Sequence, residues 1–270
     1  MLTSTFVLLQ GIGAATERRL WEQGLVTWQR FVDQPRVKGL SIERKSWYDQ
    51  ELTTAQTQFN SGHWPFFASR LPGREHWRFY DLCRSKVIYL DIETTGASAG
   101  HGYVTVVGLH RNGCTTTLVH GRDLTTDRLQ AELDQGELLV TFFGTGFDVP
   151  YLRTHFPQLR LDMPHFDLCF AARRLGLRGG LKHIEHEIGI ERHPAIQGLD
   201  GWDAVRLWSR WHTSADRDAL DLLLAYNAAD AENLVPLAHL LYTDLVARFG
   251  PPAMAPPAAP RCSPLADLPS

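Results

Sequence analysis

Val87-Ile88-Tyr89-Leu90-Asp91-Ile92-Glu93-Thr94-Thr95-Gly96 is the stretch on which the fold of this chain turns. Four residues of strand character run into two carboxylates one residue apart. Side chains alternate between the faces of a strand, so Asp91 and Glu93 point one way and Ile92 the other. Two acids held that close repel each other unless a cation lies between them. A strand end with two solvated acids would give the same letters, but the uninterrupted apolar run before them places this strand inside a sheet. A metal site is the sharper expectation, and it requires more acids elsewhere.

Two later segments supply them. Leu138-Leu139-Val140-Thr141-Phe142-Phe143-Gly144-Thr145-Gly146-Phe147-Asp148 reads as a buried strand, a glycine turn and an acid opening a helix. Alone, Asp148 would be a helix N-cap. Tyr226-Asn227-Ala228-Ala229-Asp230 lies on a strongly helical segment, where Tyr226 and Asp230 share a face. The same helix carries Leu222, Leu223 and Leu224 and has no structural use for an inward acid.

The remaining pattern predicts α/β organisation. Strand 86–92 is followed by strands 102–110 and 114–120, joined through Arg111-Asn112-Gly113, an Asn-Gly hairpin signal. A helix near 125–134 leads to strand 137–143. Then come a helix over 148–156, a short strand at 164–167, and helices over 168–176, 181–188, 202–211 and 216–248. A strand meander followed by alternating strands and helices gives a sheet with helices on its faces, and chemistry gathers at its strand ends. Residues 1–40 read as a first unit, 41–85 as a connecting helical segment, 86–249 as the main domain, and 250–270 as a disordered Pro/Ala tail.

Composition sets outer bounds. At 270 residues, 44% hydrophobic and 21% charged, the chain fits an ordinary globular protein. No apolar run reaches the roughly 18 residues of a membrane span, so no membrane partner is expected. No basic region precedes Phe6-Val7-Leu8-Leu9, so no secretory signal is expected. Cys83, Cys114, Cys169 and Cys262 are scattered without a CxxC pair, which suits a reducing cytoplasm. The net charge of −3 divides into +4 over residues 1–90 and −7 over the rest. That asymmetry permits a basic front segment and an acidic catalytic domain.

On these motifs the chain resembles the DEDD 3′–5′ exonuclease superfamily, with its ribonuclease H-like fold, and within it the YprB-type predicted exonucleases. Asp91 and Glu93 match the acid-x-acid motif, Asp148 the Gly-x-x-Phe-Asp-x-Pro motif, and Tyr226 with Asp230 the Tyr-x-x-x-Asp motif. The histidine subclass would need His where Ala225 stands, so the resemblance is to the tyrosine subclass. It covers about residues 86–245, and segments around His165-Phe166-Asp167 and Leu181-Lys182-His183-Ile184-Glu185 also fit. The family's second motif usually has Asn before the glycine; this chain has Phe143.

The resemblance implies two Mg²⁺ or Mn²⁺ ions held by Asp91, Glu93, Asp148 and Asp230, which suits carboxylate ligands and in-line phosphodiester hydrolysis. It implies Asp91 as the bridging ligand, with Glu93 and Asp230 on the water-activating side and Asp148 on the leaving-group side. Tyr226 would position the attacking water and help deprotonate it, and main-chain amides around Thr94 and Thr95 would grip the terminal nucleotide. The implied partner is a nucleic acid, a single-stranded 3′ end. The rivals are a non-catalytic nucleic-acid-binding module and a structure-specific endonuclease on the same fold.

Leu9-Gln10-Gly11-Ile12-Gly13 resembles the hairpin of a helix-hairpin-helix module, in which Gly11 and Gly13 would let backbone N–H groups approach a phosphate. The same glycines also suit a capping turn packed on the catalytic domain. Lys182 could touch a phosphate or stand solvated. Trp202, Trp208 and Trp211 could stack bases, but their near-helical spacing favours core. His183 and His186 lack zinc-protease spacing and read as the polar face of a helix. Asp167 reads as an N-cap.

Overall fold

The central strand is β1 (Val87–Thr94), buried along almost its whole length. The computed structural model describes residues 1–96 and 102–252. β1 pairs antiparallel with β2 (Val104–Arg111), and β2 pairs antiparallel with β3 (Cys114–Val119). On its other side β1 runs parallel to β4 (Leu138–Thr141), which runs parallel to β5 (His165–Asp167). The order β3-β2-β1-β4-β5 makes a mixed five-stranded sheet. Asn112 and Gly113 both take positive φ, 50° and 79°, the twist that a two-residue hairpin requires.

Alternation along β1 divides the core. Ile88, Leu90 and Ile92 pack with helix α5 (Thr126–Leu133) and helix α6 (Asp148–His155) on one face. Tyr89 packs on the other, under helix α7 (Leu168–Leu175) and the long helix α10 (Arg217–Phe249). Helix α8 (Leu181–Glu187) carries Ile184 into that core with His183 and His186 exposed, as expected for an amphipathic helix. Helix α9 (Gly201–Ser214) starts at a capping box of Asp200 and Asp203 and packs through Leu207 and Trp208 against α10.

The first 86 residues contribute α1 (Ala14–Glu22), α2 (Trp28–Val32), α3 (Ile42–Asn60) and α4 (Trp64–Ala68). Gly24, at φ +81°, ends α1 as Leu25 N–H bonds back to the Leu20 carbonyl, and Thr27 caps α2. These helices do not make a core of their own. Phe6, Trp28, Phe31, Phe67 and Phe79 belong to one apolar cluster with Tyr89, Val140 and Phe166 of the sheet and Leu237 and Tyr242 of α10. A buried polar chain runs through it: Glu17 accepts from Phe6 N–H at 2.6 Å and from Arg78 Nη2 at 2.8 Å, and Arg78 Nε donates to Glu75 at 2.9 Å.

Candidate metal centre

Asp91 and Glu93 leave β1 on the face covered by α10. Opposite Asp91 on β2 stands Gly108. A Cβ there would lie 2.4 Å from Asn227 Oδ1, so glycine is what lets α10 come this close. Asn227 Nδ2 donates to Asp91 Oδ2 at 2.9 Å. Asp230 projects from α10 three residues later, and carboxylate oxygens of Asp91, Glu93 and Asp230 all lie within 4.8 Å of one another. Asp148 is the first residue of α6 and makes no side-chain cap, because the N-cap is Phe147. The capping explanation therefore fails. Asp148 is only 4% exposed and stands beside the three acids, outside their tight group.

The charges explain what such a site needs. Burial, then the charges of Asp230, Glu93 and Asp148, push the Asp91 carboxyl well above the usual carboxylate range. Glu93 is pushed up by burial and Asp230, with Lys182 pulling it back. Burial pushes Asp148 up to about 7 against the backbone N–H groups of Asp148 and Ile92. Burial raises Asp230 too, opposed by Arg192. Carboxylates so placed hold protons or cations. Among the described residues, four buried side-chain polar atoms lack a hydrogen-bond partner, and three belong here: Asp230 Oδ1, Asn227 Oδ1 and Arg192 Nη1. Buried polar atoms of this kind call for a water, an ion or a ligand as partner.

Arg192 had no sequence signal, since it lies in the irregular stretch between α8 and α9. Its Nε and Nη2 donate to both oxygens of buried Glu185 at 2.7 Å, and Nη2 stands 2.5 Å from Asp230 Oδ1 as a charge contact off the hydrogen-bond direction. Asn233 Nδ2 donates to the same Glu185 at 3.0 Å. Lys182 is half-buried and engaged. Its Nζ donates to Tyr226 Oη at 2.6 Å and to the Leu199 carbonyl. Burial, followed by Asp230, Glu93 and Asp91, drives the Tyr226 phenol far above its ordinary value.

Asp91, Glu93, Asp230, Tyr226 and Thr94 line one cleft of about 450 Å³, with Phe147 and Trp202 at its sides. The three tryptophans thus separate. Trp208 is core, Trp211 is half-buried, and Trp202 is 65% exposed beside the acids. Thr95 is engaged elsewhere, its N–H and Oγ1 both bonded to the Tyr103 backbone. Gly11 (φ +84°) forms a turn whose preceding carbonyl, Gln10, accepts from Tyr48 Oη at 2.9 Å and Arg44 Nη2 at 3.2 Å; Gly13 is the N-cap of α1. Asp167 does cap α7, and its carboxylate also accepts from Phe143 and Thr145 N–H at 2.9 Å.

A mixed sheet in this order, with acids from its central strand and its covering helix gathered in one cleft, defines a ribonuclease H-like protein. The chain belongs to the RNase H superfamily, whose family model matches residues 88–242. Among solved structures it is similar to the family B DNA polymerase from the hyperthermophilic archaeon Pyrobaculum calidifontis, at 18% identity and TM-score 0.48, over 61% of this chain and 25% of that one. It is similar to a nuclease solved in its apo form, at 21% and 0.46, over 68% and 82% of the two chains. Brucella melitensis NrnC gives 21% and 0.46, over 65% and 81%. The chain thus spans a quarter of the polymerase, and these likenesses concern the fold. The curated proteins contain no match.

Proposed function

We propose that this protein is a metal-dependent nuclease, a 3′–5′ exonuclease of the tyrosine DEDD and YprB type, that hydrolyses single-stranded DNA or RNA ends with two Mg²⁺ or Mn²⁺ ions. The observation that carries this reading is the convergence of Asp91, Glu93 and Asp230 within 4.8 Å, in a cleft that also holds Tyr226. An all-oxygen set of mutually repelling carboxylates beside orphaned polar atoms fits hard divalent cations. Asp91, Glu93 and Asp230 would hold them, with Asp148 alongside. The ions would stabilise charge on the attacking and leaving oxygens of a phosphodiester.

The protein's own residues prepare that site. Asn227 fixes the rotamer of Asp91, and the Glu185–Arg192 pair fixes that of Asp230. The Lys182 ammonium donates to Tyr226 Oη, which turns the phenolic proton outward and polarises it. In this reading the Tyr226 hydroxyl orients the attacking water by hydrogen bonding, the positioning half of the role expected for it. Trp202, at the cleft wall, offers a face on which a terminal base can stack.

Digestion of 5′-labelled oligonucleotides with free or blocked 3′ ends, in Mg²⁺ and in Mn²⁺, tests the reading. Stepwise shortening of the free strand alone is the expected result. Internal fragments from the blocked strand would make the enzyme an endonuclease. Binding without cleavage of either strand would make it a binding module.

A further inference from the structure

Phe143, which stands where the second family motif usually has Asn, has an unusual backbone. Among the described residues, three that are not glycine have positive φ: Asn112, Ala215 and Phe143, the last at 65°. Asn112 turns a hairpin and Ala215 ends α9, whereas Phe143 is a bulky residue in a conformation that bulky residues avoid. The surroundings impose it. Asp167 holds the N–H groups of Phe143 and Thr145, and the ring lies over Gly146, where a Cβ would come within 2.6 Å of it.

That strain does not bury the ring, which remains 40% exposed. Beside it lies Phe170 of α7, also exposed, with ring centroids 6.1 Å apart. The exposed Arg173 guanidinium stands 5.9 Å from the Phe143 ring and 5.6 Å from the Phe170 ring. Among the described residues, Arg173 makes no ion pair. The loop that carries Phe143 borders two hollows. Phe147 lines the acid cleft, while Thr145 lines a cavity of about 320 Å³ together with Phe170, Arg74 and Arg174.

A strained ring is not needed to explain the fold here, because an Asn would hold this backbone with less strain and no exposed aromatic surface. Two exposed rings beside an unpaired guanidinium match a base face and a phosphate, and the positive rim disfavours a purely apolar partner. We propose that Phe143, Phe170 and Arg173 form a stacking platform for bases of a single strand whose end lies in the acid cleft. The proposal rests on the nuclease reading and adds a second contact to it.

Fluorescence anisotropy with labelled oligothymidylate, in an Asp91→Asn background that leaves the strand uncut, tests the platform. Phe143→Asn and Phe170→Ala should each weaken binding about ten-fold. Phe143→Trp should restore it, and Phe143→Asn should melt higher than the parent. An abasic strand of equal length should bind the parent at least as weakly as oligothymidylate binds Phe143→Asn. Unchanged affinity in Phe143→Asn, or equal affinity for the abasic strand, overturns the platform. In that event cleavage by the wild type still leaves the nuclease reading intact. A wild type that neither binds nor cuts nucleic acid overturns both.

Discussion

The Asp91 carboxylate has two separable effects, attraction for a cation and repulsion of its neighbours. Asp91→Asn removes the first and relieves the second, while Asn227 can still bond the new amide oxygen. We expect cleavage to fall below detection and the melting temperature in EDTA to rise, because burial and three neighbouring charges disfavour ionised Asp91. Gel assays in Mn²⁺ and melts in chelator check both halves. Cleavage retained by the variant would remove Asp91 from the site. Tyr226→Phe tests a subtler contribution. The ring stays in its cluster and only the hydroxyl bonded by Lys182 is lost. A water-positioning group should cost on the order of 10²–10⁴-fold in single-turnover rate, with Mn²⁺ affinity unchanged. A merely structural hydroxyl would leave the rate intact and cost roughly 1 kcal/mol of stability.

The strand β1 and the helix α10 were legible in sequence because each has a period. Alternation put Asp91 and Glu93 on one face, and the four-residue spacing put Tyr226 beside Asp230. Asp148 was ambiguous, since an acid that opens a helix is usually a cap. Arg192 was not legible: it lies in a stretch without periodicity, and its partners Glu185 and Asp230 are set by the packing of α8 on α10. Lys182 and Tyr226 are likewise joined only in three dimensions, across 44 positions. That hidden pairing is testable. Arg192→Met leaves Glu185 buried and charged with only Asn233 as donor, and should cost about 3–5 kcal/mol in denaturant unfolding. Adding Glu185→Gln should recover most of the loss. No recovery would mean that the arginine contributes packing alone. Protons give a second test of the same elements. The raised carboxylates, Asp148 to about 7, stabilise the metal-free fold below the unfolded values near 4, and that stability is lost as pH rises through the folded values. His76 and His165 are depressed by burial, the latter to about 4, so their contribution is present above roughly 6.5 and is lost as pH falls. His76 Nδ1 accepts from His165 N–H, a bond that protonation breaks. Between about pH 4 and 6.5 the two sets oppose each other, so melts from pH 4 to 9 in EDTA should fall as pH rises through the carboxylate values, with the two histidines blunting that fall below roughly 6.5. Mn²⁺ should abolish the fall, and a fall that Mn²⁺ leaves unchanged would place the titrating groups away from the acids.

The molecule as a whole raises the question of what the first 85 residues do for the sheet. No helix among the described residues is long and apolar enough to cross a membrane, and the aromatic residues of α2, α3 and α4 face inward. The sequence reading of a separate unit followed by a connector came from punctuation by glycine and from charge, neither of which reports on burial. In the folded chain these residues cover the face of the sheet that presents Tyr89, Val140 and Phe166, and they share one cluster with Leu237 and Tyr242 of α10. Arg78, buried to 1% exposure, is held by Glu17 of α1 and Glu75, and Arg174 of α7 joins through Glu75. Removing residues 1–85 would expose those apolar side chains, each worth about 1.5–3 kcal/mol when fully buried. The sum exceeds the roughly 5–15 kcal/mol by which a domain is stable. The truncated chain should therefore be insoluble or molten, with dye-binding apolar surface and no cooperative melt, although it keeps every acid of the site. Arg78→Met is the milder version. It leaves Glu17 and Glu75 buried without their partner and should cost about 3–5 kcal/mol while Mn²⁺ still stabilises what folds. A truncated chain that melts cooperatively and responds to Mn²⁺ as the full chain does would show that the front helices are an appendage to the sheet and no part of its core.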